Sequence, residues 1–524
     1  MRSGYLTLPS GQLHLRQAGA GSPVVLLHDA PGSSAVWDTA MIEEVARARW
    51  VIAPDLIGFG GTTAAGDAAD LDAQATALAT ALTELGVRRA PVAAEGAGAA
   101  VAARLAERHP GLVQGILVLR VPYHGAEQPP AQPEADAGGG HLLRLYDEIR
   151  DGILFAPWWR PKAANRRRRG LPPAPVLHEL FLDTAEHGDA HRRLAASAAK
   201  EWPHLAGTPG MVLAGDDWTA GILALPEGDG VPLPVDDAQG EREYLQVGSG
   251  VIHVRRFGDG SSGRRPVLAL HANPGSGDGL EPLARALGKT RQVIVWDTPG
   301  HGRSTPLPED VEGGAPTLAG TYAPLLVELL DALGVEECDV YGTHTGAGLA
   351  VELAIAAPNR VGALVLDGVP LFDDQPELVA SVLANYFVDL TPDPHGSHLR
   401  RAWGVSADMA LWWPWFEHTP EGVRDVDPYR PDFLHRVTLD MLRSAPHYHR
   451  YYRAGWQWPC TRRLPLVRRP ALVGSTLTDP LAPMTPVALR LLADAAETTF
   501  APLGGAGSPE LNAALMARYL DGVR

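Results

Sequence analysis

The sequence predicts an α/β protein built twice over: two tandem domains, each a mostly parallel sheet flanked by helices and interrupted by a helical cap insertion. Three observations predict it. The chain has 524 residues, too many for one ordinary domain and comfortable for two of about 250 residues. It repeats itself once along its length. Each repeat alternates short runs of Val, Ile and Leu with longer helical patterns, the order that builds a parallel sheet covered on both faces.

The repeat is legible segment by segment. GYLTLPSGQLHLRQ at 4–17 matches EYLQVGSGVIHVRR at 243–256, PVVLLHDAPG at 23–32 matches PVLALHANPG at 266–275, and VIAPDLIGFG at 51–60 matches VIVWDTPGHG at 293–302. GILVLRVP at 115–122 matches GALVLDGV at 362–369 and the proline that follows. The likeness runs on into irregular parts, where His141-Leu142, Pro157-Trp158 and Leu177-His178 align with His398-Leu399, Pro414-Trp415 and Leu434-His435. A whole unit was duplicated, insertion included. The first copy spans 1–225 with its cap at about 123–207, a Gly/Pro/Asp-rich linker spans 226–241, and the second copy spans 242–524 with its cap at about 371–465. Helical patterns at 70–86 and 321–334 lie between strands. The second copy ends with a helix near 485–496, a strand near 497–502 and a helix at 509–522, which the first copy lacks.

Composition narrows the function. A formal net charge of −16 argues against nucleic-acid binding, which needs a basic face, and the basic run Arg166 to Arg169 reads as a solvated face. Two cysteines, Cys338 and Cys460, make no disulfide framework. No signal peptide and no apolar run of membrane-spanning length is evident, so a soluble, cytoplasmic protein without membrane partners is expected. No phosphate loop or dinucleotide fingerprint occurs and no histidine pair has strong metal-ligand spacing, so no cofactor and no metal are expected.

The order His-x-x-Pro-Gly after one strand, Asp-x-x-Gly-x-Gly after the next, and then a strand, tight turn and helix, resembles the α/β-hydrolase superfamily over nearly all of both copies. The resemblance implies a nucleophile elbow of the form Gly-x-Ser-x-Gly. In the second copy the matching residues are Gly342-Thr343-His344-Thr345-Gly346, and in the first Ala94-Glu95-Gly96-Ala97-Gly98. Neither carries serine. It also implies an oxyanion loop, His271-Ala272-Asn273-Pro274-Gly275, so His271, Asn273 and Gly275, with Thr345 beside the elbow tip, become oxyanion or turn candidates. Asp479 stands at the family's acid position. Asp367 is a second candidate, and its counterpart in the first copy is Arg120. Ser508 replaces the family's histidine, so the usual serine relay is not available.

Two readings follow for the second copy. In the first, His344 is a general base, its tautomer set by Asp479 or Asp367. It would activate water in hydrolysis or abstract a proton in a lyase-type reaction on a small apolar molecule with a carbonyl or ester-like group. A swapped arrangement, with Ser508 as nucleophile and His344 as its base, is a variant of it. In the second reading the site binds a ligand or serves as scaffold without turnover. The first copy, with Gly96 at its elbow, belongs to the second kind. The cap of the second copy is rich in aromatics, and Trp412, Trp413 and Trp415 are its candidates for the substrate pocket. The expected partners are a small-molecule substrate and, within the chain, the other domain.

Overall fold

The computed structural model describes residues 1–123, 134–167, 170–232, 240–309, 314–502 and 505–523. Part of the first cap, the last two residues of the basic run, the middle of the linker and Gly504 therefore lie outside the described residues. The chain divides into two compact units, one built on Met1–Asp136 and Gly140–Glu243, the other on Tyr244–Pro392 and Ser397–Arg524.

In the second unit the sheet order is Ala495–Thr499, Ala471–Ser475, Val361–Asp367, Cys338–Thr343, Val267–Leu270, Val293–Trp296, Gly250–Phe257 and Arg242–Val247. The strands from Ala495–Thr499 to Val293–Trp296 pair in parallel, and Gly250–Phe257 joins antiparallel. The apolar runs form central strands because alternate residues enter different cores. Leu268, Ile294, Val340, Leu364 and Val473 belong to one, whereas Val267, Val293, Tyr341, Val365 and Leu472 belong to the other. This is the period-2 alternation of a sheet buried on both faces. The helix Thr345–Ala356 is apolar around most of its circumference and packs into the first core, while Glu281–Gly288 and Ser508–Gly522 contribute to the second.

The first unit orders its strands Arg2–Leu8, Gly11–Ala18, Arg49–Pro54, Ser22–Leu27, Val87–Glu95, Val113–Arg120 and Met211–Leu213. A short pair from Asp229–Gly230 sits on Val87–Glu95. Among the described residues its parallel sheet stops at Met211–Leu213, one strand earlier than in the second unit, and the short helix Trp218–Leu223 follows. The expected helices fall at Leu71–Glu84 and Ala323–Ala332. In the second unit the helix Thr485–Leu491 starts where the pattern suggested and stops earlier, and the strand Ala495–Thr499 both starts and stops earlier.

Both units share a buried histidine–aspartate pair that ties the sheet to the Asp-x-x-Gly-x-Gly turn. His14 Nδ1 lies 2.7 Å from Asp55, and His253 Nδ1 lies 2.8 Å from Asp297. Asp297 also accepts from the Arg255 guanidinium at 2.9 Å and from the Gly277 N–H at 2.9 Å. Although burial works against its charge, Arg255 and His253 hold its carboxyl well below the usual range. Among the described residues, no helix is long and apolar enough to cross a membrane.

The C-terminal ends of four neighbouring parallel strands carry the elbow, the oxyanion loop, Asp367 and the loop to Asp479. Ligands bind at that edge of an open α/β sheet, near the point where strand order reverses. The elbow depends on backbone contact: a Cβ on Gly346 would lie 2.3 Å from the Leu270 carbonyl oxygen, and one on Gly342 would lie 2.2 Å from that of Gly346. Gly346→Ala is expected to cost about 1–3 kcal/mol or more in urea unfolding. Gly404→Ala, in a cap helix with nothing within 4 Å of the added carbon, is expected to stabilise by about 0.5–1 kcal/mol.

Candidate active site

The strand Cys338–Thr343 turns into the helix Thr345–Ala356 through His344, whose φ of 51° and ψ of −116° make it the one non-glycine residue with positive φ among those described. Its counterpart Gly96 has nearly the same angles, 55° and −124°. Glycine takes this conformation freely, whereas a side-chain-bearing residue held there costs about 1–3 kcal/mol. Backbone hydrogen bonds keep the turn in place: His344 N–H to Asp367 O at 2.9 Å, and Ala347 N–H to His344 O at 2.8 Å.

The side chain that this turn presents is paired. His344 Nε2 lies 2.7 Å from Asp479 Oδ2, with the imidazole about a third exposed and the carboxylate 10% exposed. The other oxygen of Asp479 accepts the Leu481 N–H at 2.7 Å. Burial opposes charge on both groups, but the attraction between them prevails, raising the imidazole pKa and lowering that of the carboxyl. Asp367 takes a different role. It is 3% exposed, accepts from the Tyr341 hydroxyl at 3.0 Å, and is pushed up to about 7, chiefly by burial, against the pull of His344. It makes no side-chain hydrogen bond with His344. Ser508 is not brought to the histidine either. It opens the last helix, is 5% exposed, and lies against Gly505.

The oxyanion loop divides its work among its residues. His271 is fully engaged in the turn: Nδ1–H donates to the Ala272 carbonyl at 2.8 Å and Nε2 accepts the Thr298 N–H at 3.1 Å. Burial lowers its pKa, so it stays neutral. Gly275 offers its carbonyl to His301 Nδ1 at 2.9 Å, and burial, with the neighbouring His271, pushes His301 down to about 3. The Thr345 side chain turns against Gly455 of a cap helix, which leaves its backbone N–H as the group at the elbow. Asn273 is 5% exposed, and both polar atoms of its side chain are buried without a hydrogen-bond partner among the described residues.

The first unit shows what these backbone groups do. There Asp29 replaces Ala272, and its Oδ1 accepts from Ala97 N–H at 2.7 Å and Ala30 N–H at 2.8 Å. Ala97 and Ala30 correspond to Thr345 and Asn273, so two backbone N–H donors converge on one anionic oxygen at this elbow. Its other oxygen pairs with Arg120, which also lies 3.1 Å from Glu95. A Cβ on Gly96 would fall 1.9 Å from the Asp29 carboxyl carbon. The first unit thus fills its own anion site with a carboxylate where the second has the small Ala272.

The tryptophans distribute unequally. Trp415 is buried in cap core, edge-on to Tyr386 and Phe416, and Trp412 sits against His418. Trp413 stacks over Trp456, which stacks on Phe372 at 4.0 Å, just beyond the Asp367 strand. None of the three makes a ring contact or hydrogen bond with His344. Several site residues escaped sequence reading. Gly368 packs on the pair, and a Cβ there would lie 2.7 Å from the His344 ring. Arg424 reaches the Thr478 carbonyl at 3.0 Å from the cap. Tyr341 could have been found from strand register, since Thr343 pairs with Asp367 and a tyrosine two residues earlier falls diagonally beside it. Among the described residues, no cluster of three His, Cys, Asp or Glu side chains is placed to hold a metal ion.

Comparison with known proteins agrees with the fold. The family model of the α/β hydrolase fold matches residues 22–142 and again 265–402, and the chain belongs to the α/β-hydrolase superfamily. A 2-hydroxy-6-oxononadienedioate/2-hydroxy-6-oxononatrienedioate hydrolase of Pseudomonas putida is 31% identical over 147 residues, covering 26% of this chain and 47% of the relative. A 2-hydroxymuconate semialdehyde hydrolase of a Pseudomonas species is 36% identical over 109 residues, covering 20% and 36%. The chain spans about half the length, or less, of the curated relatives it matches. Among solved structures, an esterase from Thermogutta terrifontis is 18% identical, covering 54% of this chain and 99% of its own, with a TM-score of 0.40.

Position 344 offers a direct test of the strained turn. His344→Ala and His344→Gly both remove the imidazole, but only glycine suits a φ of 51°. The glycine variant is expected to be the more stable of the two by about 1–2 kcal/mol in urea unfolding.

Proposed function

We propose that the second unit is a hydrolase of small, largely apolar carbonyl or ester compounds, with His344 acting as general base on water. The observation that carries this reading is the pair at the elbow tip, His344 Nε2 at 2.7 Å from Asp479, beside two backbone donors. With Nε2–H donating to Asp479, Nδ1 is the ring atom open to accept a proton. Water gives that proton to Nδ1 as its oxygen attacks the substrate carbonyl. Negative charge gathers on the carbonyl oxygen, where the Thr345 and Asn273 N–H groups stabilise it as their counterparts hold Asp29. Asp479 holds the imidazolium, which returns the proton to the leaving group. No covalent enzyme intermediate forms. Relatives named as hydrolases of oxo-dienedioates and a semialdehyde support a carbonyl-bearing substrate.

Turnover of aryl and alkyl esters, lactones and β-diketones, compared between the wild-type protein and His344→Ala, tests the reading. General-base catalysis contributes typically 10²–10⁴-fold, so a loss of about 100-fold or more is expected, with an unchanged thermal melt. Unchanged activity in the variant would remove His344 from the chemistry, and labelling of Ser508 by a serine-directed phosphonate would replace this mechanism with a serine nucleophile. The base works unprotonated and its pKa is raised, so kcat/KM should climb with pH along a limb centred above 6.5. Asp479→Asn removes the charge that raises it, which should move that limb to lower pH and reduce kcat.

A further inference from the structure

The first unit has lost the groups of a hydrolytic site and kept a chamber. Beneath its cap lies a cavity of about 560 Å³, within the range that takes small organic ligands. Aromatic rings wall it, among them Trp37, Phe155, Trp158 and Trp159. Trp158 and Trp159 meet edge to face at 5.7 Å, and the Arg192 guanidinium lies over the Trp158 ring at 5.8 Å while pairing with the buried Glu148. This cation is neutralised within the wall. The chamber is therefore built for aromatic contact.

Its floor argues for the charge of the occupant. Asp29, Glu95, Ala97 and Arg120 line it. Both backbone donors that would receive a ligand's anionic oxygen are already taken by Asp29 Oδ1, at 2.7 and 2.8 Å, and Arg120 is taken by Asp29 and Glu95. At the floor an incoming anion would meet a fixed carboxylate and occupied donors; on the wall, Arg167 Nη1 and Trp37 Nε1 are buried without a hydrogen-bond partner among the described residues. With glycine at the elbow tip there is no side chain to attack or to move a proton.

We propose that the first unit is a binding site for an uncharged, mainly aromatic small molecule, held between the cap tryptophans and the Asp29–Arg120 floor without turnover. The Asp29 carboxylate stands permanently where the second unit would stabilise a reacting oxygen, so the floor of the first unit's chamber offers an anion no free donor.

Two fluorescent probes of one shape test this in the full-length protein: uncharged N-phenyl-1-naphthylamine, and 1-anilinonaphthalene-8-sulfonate, which adds one negative charge. The uncharged probe is expected to bind at least tenfold more tightly. Gly152 lines the cavity with nothing within 4 Å of the position of a Cβ, so the ring of Gly152→Phe is introduced from a position where the first added carbon meets open space. Ala195→Phe fills it from another cap helix. Each variant that retains a cooperative thermal melt should lose at least tenfold in affinity for the uncharged probe. Asp29→Ala frees two N–H donors and removes one of the two carboxylates that hold Arg120, and should raise affinity for the sulfonate. Undiminished binding of the uncharged probe in either folded filling variant would overturn the proposal, as would equal affinity of the wild-type protein for both probes.

Discussion

Everything at the candidate site hangs on one close approach of backbones. The elbow helix can begin where it does only because Gly346 lets its backbone pass the Leu270 carbonyl at a distance no side chain tolerates. That contact brings the end of the elbow strand beside the oxyanion loop. It forces the residue between strand and helix into a conformation that disfavours any Cβ. The reward is geometric: a side chain at position 344 projects at the sheet edge, and the first N–H groups of the helix face the same space. Helix N-termini suit negative charge, so the turn that strains His344 also directs backbone N–H donors into the space beside its ring.

The duplication supplies an internal comparison. Both units build the same turn, the same buried His–Asp tie beneath it and the same oxyanion-loop histidine, since His28 makes the bonds His271 makes: Nδ1 to the next carbonyl at 2.8 Å and Nε2 to a backbone N–H at 3.1 Å. Around that turn, what differs is the set of side chains at the elbow and the loops beside it. One unit has His344, Ala272 and Asp367; the other has Gly96, Asp29 and Arg120. The exchange of Asp367 for Arg120 makes sense together with Asp29, because a carboxylate placed at the elbow needs a cation beside it. The elbow and its supporting backbone are retained twice in this chain, while the side chains around them diverge.

The carboxylates of the second unit show how burial assigns roles. Asp479 and Asp367 end or follow neighbouring strands, and each is a plausible partner for a histidine on paper. Asp479 has the His344 ring and a backbone N–H on its oxygens and stays charged. Asp367 lies deeper, receives a neutral tyrosine hydroxyl, and is raised to about 7. Two acids beside the same imidazole are thus driven apart in acidity by what surrounds them.

The sequence by itself determined the duplicated architecture, the parallel sheets, the position of the elbow and the absence of serine from it. Those properties are written in local pattern: strand periodicity, glycine spacing and the alignment of one copy with the other. Only the tertiary structure decided that Asp479 rather than Asp367 takes the His344 ring, that Ser508 makes no hydrogen bond with it, that Gly368 and Tyr341 pack beside these groups, and that Asp29 takes the two backbone N–H donors at the elbow of the first unit. These are contacts between residues 24 to 135 positions apart, set by how loops converge at one edge of a sheet. A linear pattern can nominate such groups, but their pairing is decided by distance and burial, which exist only once the strands are side by side.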